Sequence, residues 1–201
     1  MKERGILFSA PMVKALLAGT KTVTRRLVKT GPDLANRGRL RSCTDGVATF
    51  GDSMPDDPVP LTVRCPYGVP GDRLWVRETW SPWADAKTQE YLRDQGDADA
   101  YLPCVYKATV SCSTALDAGG DGRWHPAIHM PRWASRITLG VADVRVERLR
   151  DITEQDAIAE GVSEVGFPRE TFASLWDGLN GNRAPWESNP WVWRVEFRRV
   201  S

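Results

Sequence analysis

Hydrophobic and polar positions alternate along this chain in many short runs, and only three stretches have helical spacing. Residues 5–9 read as a short strand. Met12, Val13, Leu16 and Leu17 then recur on one helical face, with Pro11 suited to the first position and Gly19 to the C′ position that closes the helix. Thr20 to Leu27 is rich in β-branched residues and predicts a strand. Leu61, Val63 and Cys65 alternate before a turn from Pro66 to Gly71. From Arg73 to Trp80 the period is two: Leu74, Val76, Glu78 and Trp80 share one face, and Arg73, Trp75, Arg77 and Thr79 the other. Val105 to Val110 predicts a further strand. Ile137, Leu139 and Val141 alternate, then Val144 and Val146 continue in the opposite phase, which predicts a bulge near Gly140 to Asp143 or a corner between two strands. Asp151 and Thr153 are N-cap candidates for a helix through Ala159, with Gly161 its stop. Phe172, Leu175, Trp176 and Leu179 mark another amphipathic helix that ends near Gly181. Trp191, Trp193, Val195 and Phe197 alternate with Val192, Arg194, Glu196 and Arg198 in a last strand.

Many short strands and few short helices predict an α+β chain built on a small, strongly bent β-barrel with flanking short helices. Closing the sheet removes its exposed edges, and helices can plug the ends. A length of 201 residues fits one domain, 1–201, with loop-like insertions at 29–60 and 81–123. No apolar run is long enough for a membrane helix, and the N-terminus lacks the apolar core of a signal peptide, so the expectation is a cytoplasmic protein with no membrane partner. The four cysteines, Cys43, Cys65, Cys104 and Cys112, have no CxxC spacing and read as free thiols.

A net charge of +1 selects no partner class, but charge is unevenly placed. Residues 21–41 hold Lys21, Arg25, Arg26, Lys29, Arg37, Arg39 and Arg41, whereas residues 85–99 are acidic. A threonine hydroxyl becomes a nucleophile when a neighbouring base takes its proton, and a lysine can be that base if burial or nearby cations lower its pKa. Lys21 and Thr24 offer such a pair, and Arg25 and Arg26 such cations. A regular strand points positions 21 and 24 to opposite faces, so the two can meet only if Lys21 lies in the turn after Gly19 or the strand is bulged. Glu160 falls at a helix C-terminus, where the macrodipole disfavours an ionised carboxylate; that suits an acid/base role. Glu78 shares a face with core residues and needs a partner, for which Lys21, Arg25 or Arg26 are candidates. His125 and His129 have a two-ligand spacing, but Pro126 and Pro131 break the helix it needs, and no metal or cofactor is expected.

The run Leu17-Ala18-Gly19-Thr20-Lys21-Thr22-Val23-Thr24-Arg25-Arg26 resembles the signature of ASCH domains, a branch of the PUA-like superfamily. Gly71 to Glu78 is similar to the "GD…V.E" strand of that family, and Ile152 to Gly161 to its following helix. The stretch Ile128 to Ile137 resembles longer ASCH proteins of bacteriophage and prophage genomes. The resemblance implies a PUA-like barrel and, from one small bacterial member, an amidohydrolase acting on N4-acetylcytidine with a lysine, a threonine and a glutamate as its catalytic set. These fall on Lys21, Thr24 and Glu160, with Glu78 as a second candidate carboxylate. Arg25 or Arg26 would stabilise the oxyanion, and Trp75 or Trp80 would stack on the base. Other members bind nucleic acid or are linked to RNA cleavage. The expected partner is therefore a modified nucleoside or RNA, and the competing readings are a non-catalytic RNA- or DNA-binding module and a ribonuclease.

Overall fold

The computed structural model describes residues 1–29, 39–51, 60–82, 104–110, 113, 115 and 122–201. The acidic run 85–99, Arg37 and Cys112 lie outside the described residues, as do large parts of both expected insertions. The chain is mixed α+β, with ten strands and three α-helices among the described residues. The strands are β1 (Glu3–Leu7), β2 (Val23–Leu27), β3 (Leu40–Thr44), β4 (Val47–Phe50), β5 (Leu61–Arg64), β6 (Arg73–Arg77), β7 (Trp80–Pro82), β8 (Cys104–Tyr106), β9 (Thr138–Arg148) and β10 (Trp191–Arg199). The helices are α1 (Ala10–Leu17), α2 (Glu154–Ala159) and α3 (Pro168–Asn180).

Five strands form one sheet in the order β1-β6-β9-β10-β2. Among the described residues only the β1–β6 pair is parallel, and its connection runs through α1, β2 and the second sheet. β9 and β10 are the longest pair, and a register shift between Glu196 and Phe197 leaves Ala142 unpaired. That is the bulge the phase slip predicts. β3, β4 and β5 form a second, antiparallel sheet, and β7 with β8 a third. One core joins the first two sheets and α1: Ile6, Val13, Leu16, Phe50, Leu74, Leu139 and Trp193 are all almost fully buried within it. Each such side chain contributes about 1.5–3 kcal/mol by leaving water. A smaller cluster of Leu149, Phe172, Trp176 and Val192 docks α3 on the other face of β10.

Two expectations change. Residues 29–60 contain the hairpin β3–β4 rather than loop alone. Its turn is Asp45-Gly46, both at positive φ (49° and 68°), the backbone a two-residue hairpin needs. The expected barrel closure is also absent from the pairing: among the described residues β1 and β2 remain the two free edges of the large sheet. Arg26 on β2 reaches across to β1, where its Nη2 donates to Leu7 O at 2.6 Å. No helix among the described residues is long and apolar enough to cross a membrane.

Candidate functional site

A cavity of about 540 Å³ occupies the place where the two sheet edges would meet. Leu7, Phe8 and Ser9 line it from the end of β1, residues 24–27 from β2, and Phe172, Leu175, Trp176 and Leu179 from α3. Pro126, Ala127 and Ile128 close another side, and Lys21 and Glu160 also face it. Its volume lies within the range of small-molecule sites, roughly 300–1,000 Å³.

Lys21 escapes the alternation of β2 because that strand begins two residues later. Helix α1 ends at Ala18, and Gly19 takes φ 77°. The amides of Thr20 and Lys21 both return to Ala15 O. This turn leaves Lys21 between α1 and the end of α2, only 3% exposed. Its Nζ donates to Glu160 Oε2 at 2.7 Å, to Glu160 O at 2.6 Å and to Val23 O at 2.8 Å. Three acceptors match the three donors of an ammonium. Burial pushes the amine below the usual lysine range. Arg26 and Arg25 push the same way, against the Glu160 carboxylate.

Glu160 is placed by α2. Thr153 caps that helix through a reciprocal box with Asp156, and Glu160 is its C-cap residue. Gly161 then turns the chain at φ 89°, and a Cβ there would lie 2.8 Å from Ala15 Cβ and 3.2 Å from Lys21 Cβ. Only glycine permits this close approach without a shift. The contact is completed by Thr22 N donating to Ala159 O. The second carboxylate oxygen of Glu160 lies 3.5 Å from Arg25 Nη1.

Arg25 is fully enclosed and faces three carboxylates. Its Nε donates to Glu147 Oε1 at 2.8 Å, and Nη2 lies 3.3 Å from Asp156 Oδ2. Across β10, Arg194 stands directly opposite both Arg25 and Arg145. Arg194 pairs with Asp156 at 3.2 Å and Glu196 at 2.9 Å, and Arg145 pairs with Glu147 at 3.1 Å. Burial raises the Asp156 carboxyl, but Arg25 and Arg194 outweigh it and hold it below the usual carboxylate range. Glu147, Asp156 and Arg194 carry no role in the sequence reading. Asp156 has one legible signal, its position three residues after Thr153.

Thr24 is 3% exposed and lines the cavity from β2. Among the described residues no group hydrogen-bonds its hydroxyl. The hydroxyl is not among the fully buried polar atoms left without a partner, so it is reached from the cavity and is open to a ligand there.

The cavity thus gathers Lys21, Thr24, Arg25, Arg26 and Glu160. It does not gather Trp75, Glu78 or Trp80, which belong to other surroundings. Glu78 is almost fully buried, and its partner is Arg136, at 2.9 Å and 3.0 Å, rather than Lys21, Arg25 or Arg26. Burial pushes its carboxyl up against the pull of Arg136. Trp75 lies on β6 beneath the Arg77 guanidinium, and Trp80 is packed between His125 and Trp133. The aromatic rings on the cavity are Phe8, Phe172 and Trp176. Within the described part of the basic run 21–41, Lys21 and Arg25 are buried against carboxylates rather than exposed for a phosphate track. Among the described residues no cluster of three His, Cys, Asp or Glu side chains is arranged to hold a metal. No protein-family model, curated protein or solved structure matches this chain.

Proposed function

We propose that this protein is a hydrolase that cleaves the amide of an acylated pyrimidine nucleoside such as N4-acetylcytidine, on a PUA-like scaffold of the ASCH type. The observation that carries the reading is that Lys21, Glu160 and an unpartnered Thr24 hydroxyl line one cavity. The two sheets sharing one core, with the site at their unclosed seam, are compatible with an opened barrel of that kind.

The ammonium of Lys21 passes a proton to Glu160 Oε2, 2.7 Å away. The neutral amine then takes the proton of Thr24, whose Oγ1 attacks the acyl carbon. The tetrahedral oxyanion forms beside the recharged Lys21. As the C–N bond breaks, Glu160 gives its proton to the leaving exocyclic amine. Glu160 next takes a proton from water, the hydroxide attacks the acyl-threonine ester, and Thr24 regains its proton from Lys21. Proton return from Glu160 to Lys21 restores the resting pair. Arg25, occupied by three carboxylates, is a positioning residue that holds Glu160.

The test is release of acetate and cytidine from N4-acetylcytidine, with mass spectrometry for an acetylated Thr24 peptide. The expected result is turnover that drops at least about a thousandfold in Thr24→Val and Lys21→Ala. Absence of acetate release, or turnover that survives Thr24→Val, overturns the reading. Gel retardation of RNA without product, or shortened RNA, would favour the nucleic-acid alternatives instead.

A further inference from the structure

Charge balance within the cavity singles out Arg26. Lys21 and Arg25 both have carboxylate partners, at 2.7 Å and 2.6 Å. Arg26 has none among the described residues. Its Nη2 is held by Leu7 O at 2.6 Å, and its guanidinium lies over the Phe8 ring at 5.2 Å. These contacts fix the side chain without neutralising it. Its Nε is buried and has no hydrogen-bond partner. The Lys21 amine, a cation in the same site, is near enough to feel the charge of Arg26.

A second feature faces the same space. Helix α1, eight residues long, starts at the cavity, where Ser9 and Met12 both line the wall. Ser9 occupies the N-cap position but its side chain makes no cap hydrogen bond, and the first turn contains no acidic residue. The positive end of the helix dipole is therefore uncompensated by protein. Thr24 lines the same cavity with a hydroxyl that no described residue bonds, and the orphaned atom on that wall is Arg26 Nε.

We infer that Arg26 and the N-terminus of α1 form an anion subsite, so that the substrate carries a phosphate ester: a nucleotide rather than a free nucleoside. The inference rests on the proposed amidohydrolase reading for the rest of the substrate. A phosphate presents paired oxygens to the guanidinium fork, and its charge supplies what the cavity lacks. Two sources share this chemistry, a mononucleotide and an internal phosphodiester of a short RNA.

Calorimetric binding to the intact protein separates the possibilities without requiring turnover. The ligands are cytidine, cytidine 5′-monophosphate and a cytidine-centred trinucleotide, with hydrolysis of their N4-acetyl forms followed in parallel. The phosphate-bearing ligands should bind at least about tenfold tighter than cytidine, an advantage that shrinks with added salt. Arg26→Gln should erase that advantage, and Arg26→Lys should restore part of it. Inorganic phosphate should compete with the nucleotide and leave cytidine binding unchanged. Equal affinity for nucleoside and nucleotide, or a ratio unchanged in a folded Arg26→Gln, overturns the subsite. If Arg26→Gln does not fold, the salt and phosphate arms on the wild-type protein decide. Tight nucleotide binding without acetate release would keep the subsite and discard the amidohydrolase. Hydrolysis equally fast with and without phosphate would do the reverse. Preference between mononucleotide and trinucleotide assigns the source.

Discussion

At the residue scale, the site contrasts two buried polar groups. Lys21 is saturated by three acceptors, whereas Thr24 has none. Thr24→Val keeps the volume and removes a hydroxyl that no protein group uses. Its stability in urea should stay within about 1 kcal/mol of wild type while deacylation is lost. A large loss of stability would mean that the hydroxyl has a structural partner. The depressed pKa of Lys21 gives a second expectation. The one proton shared by Lys21 and Glu160 serves the leaving amine, so turnover should fall as pH rises through the lowered Lys21 value, below the ordinary lysine value of 10.5. Between the folded and unfolded pKa values the unfolded chain holds the extra proton, so the contribution of Lys21 to stability rises with pH across that window. A rate profile that begins to fall only around 10.5 would contradict both points. Lys21 and Thr24 were legible in sequence as residue types and spacing, and both line the cavity, although the three bonds of the Lys21 amine go to Val23 and Glu160 rather than to Thr24. The enclosure of Arg25 by Glu147, Asp156 and Glu160 was not, because these carboxylates come from β9 and from the two ends of α2.

At the element scale, a six-residue helix does the positioning. α2 is too short to be stable alone, and it depends on its capping box and on its contact with the turn after α1. Gly161→Ala should cost about 2 kcal/mol or more, from a left-handed backbone combined with a 2.8 Å approach to Ala15 Cβ. It should also depress turnover by moving Glu160 away from Lys21. Adding Ala15→Gly should relieve the clash and recover part of both effects, measured by thermal unfolding and acetate release. Thr153→Ala should cost about 1 kcal/mol through the lost cap. Most elements were readable from periodicity and punctuation: Pro11 and Gly19 bracket α1, and the phase slip marks the β9 bulge. The hairpin β3–β4 was missed because its apolar positions are sparse, although Asp45-Gly46 is a strong turn signal.

On the scale of the whole molecule, the large sheet leaves its edges β1 and β2 apart, and the cavity fills the seam. This separates the two carboxylates that the sequence offered as first and second candidates, Glu160 and Glu78. Glu160→Gln should reduce turnover, whereas Glu78→Gln should lower stability by about 3 kcal/mol through the broken Arg136 pair and leave the kcat/KM of the folded protein near wild type. Comparable catalytic losses in both would undo the assignment. The outer end of β1 is tied down by Asp72, which accepts from Lys2 N at 2.7 Å and Arg4 Nη1 at 2.8 Å. These bonds hold its carboxyl below the usual range. Its stabilisation should be present at neutral pH and disappear as pH falls through that lowered value, so the gap between wild type and Asp72→Asn in urea should close in acid.

The amino-acid sequence alone determined the order of most strands and helices, the glycine turns at 19 and 161, and the lysine–threonine spacing. These are local properties, set by side-chain period and by backbone conformations open to few residues. Tertiary structure decided which charges meet. Glu78 and Glu160 differ little as residues at element ends, but one is brought to Arg136 and the other to Lys21 by contacts across 58 and 139 positions. The unclosed seam is decided at that level too, because whether two edge strands meet depends on the accumulated twist and packing of all the strands between them.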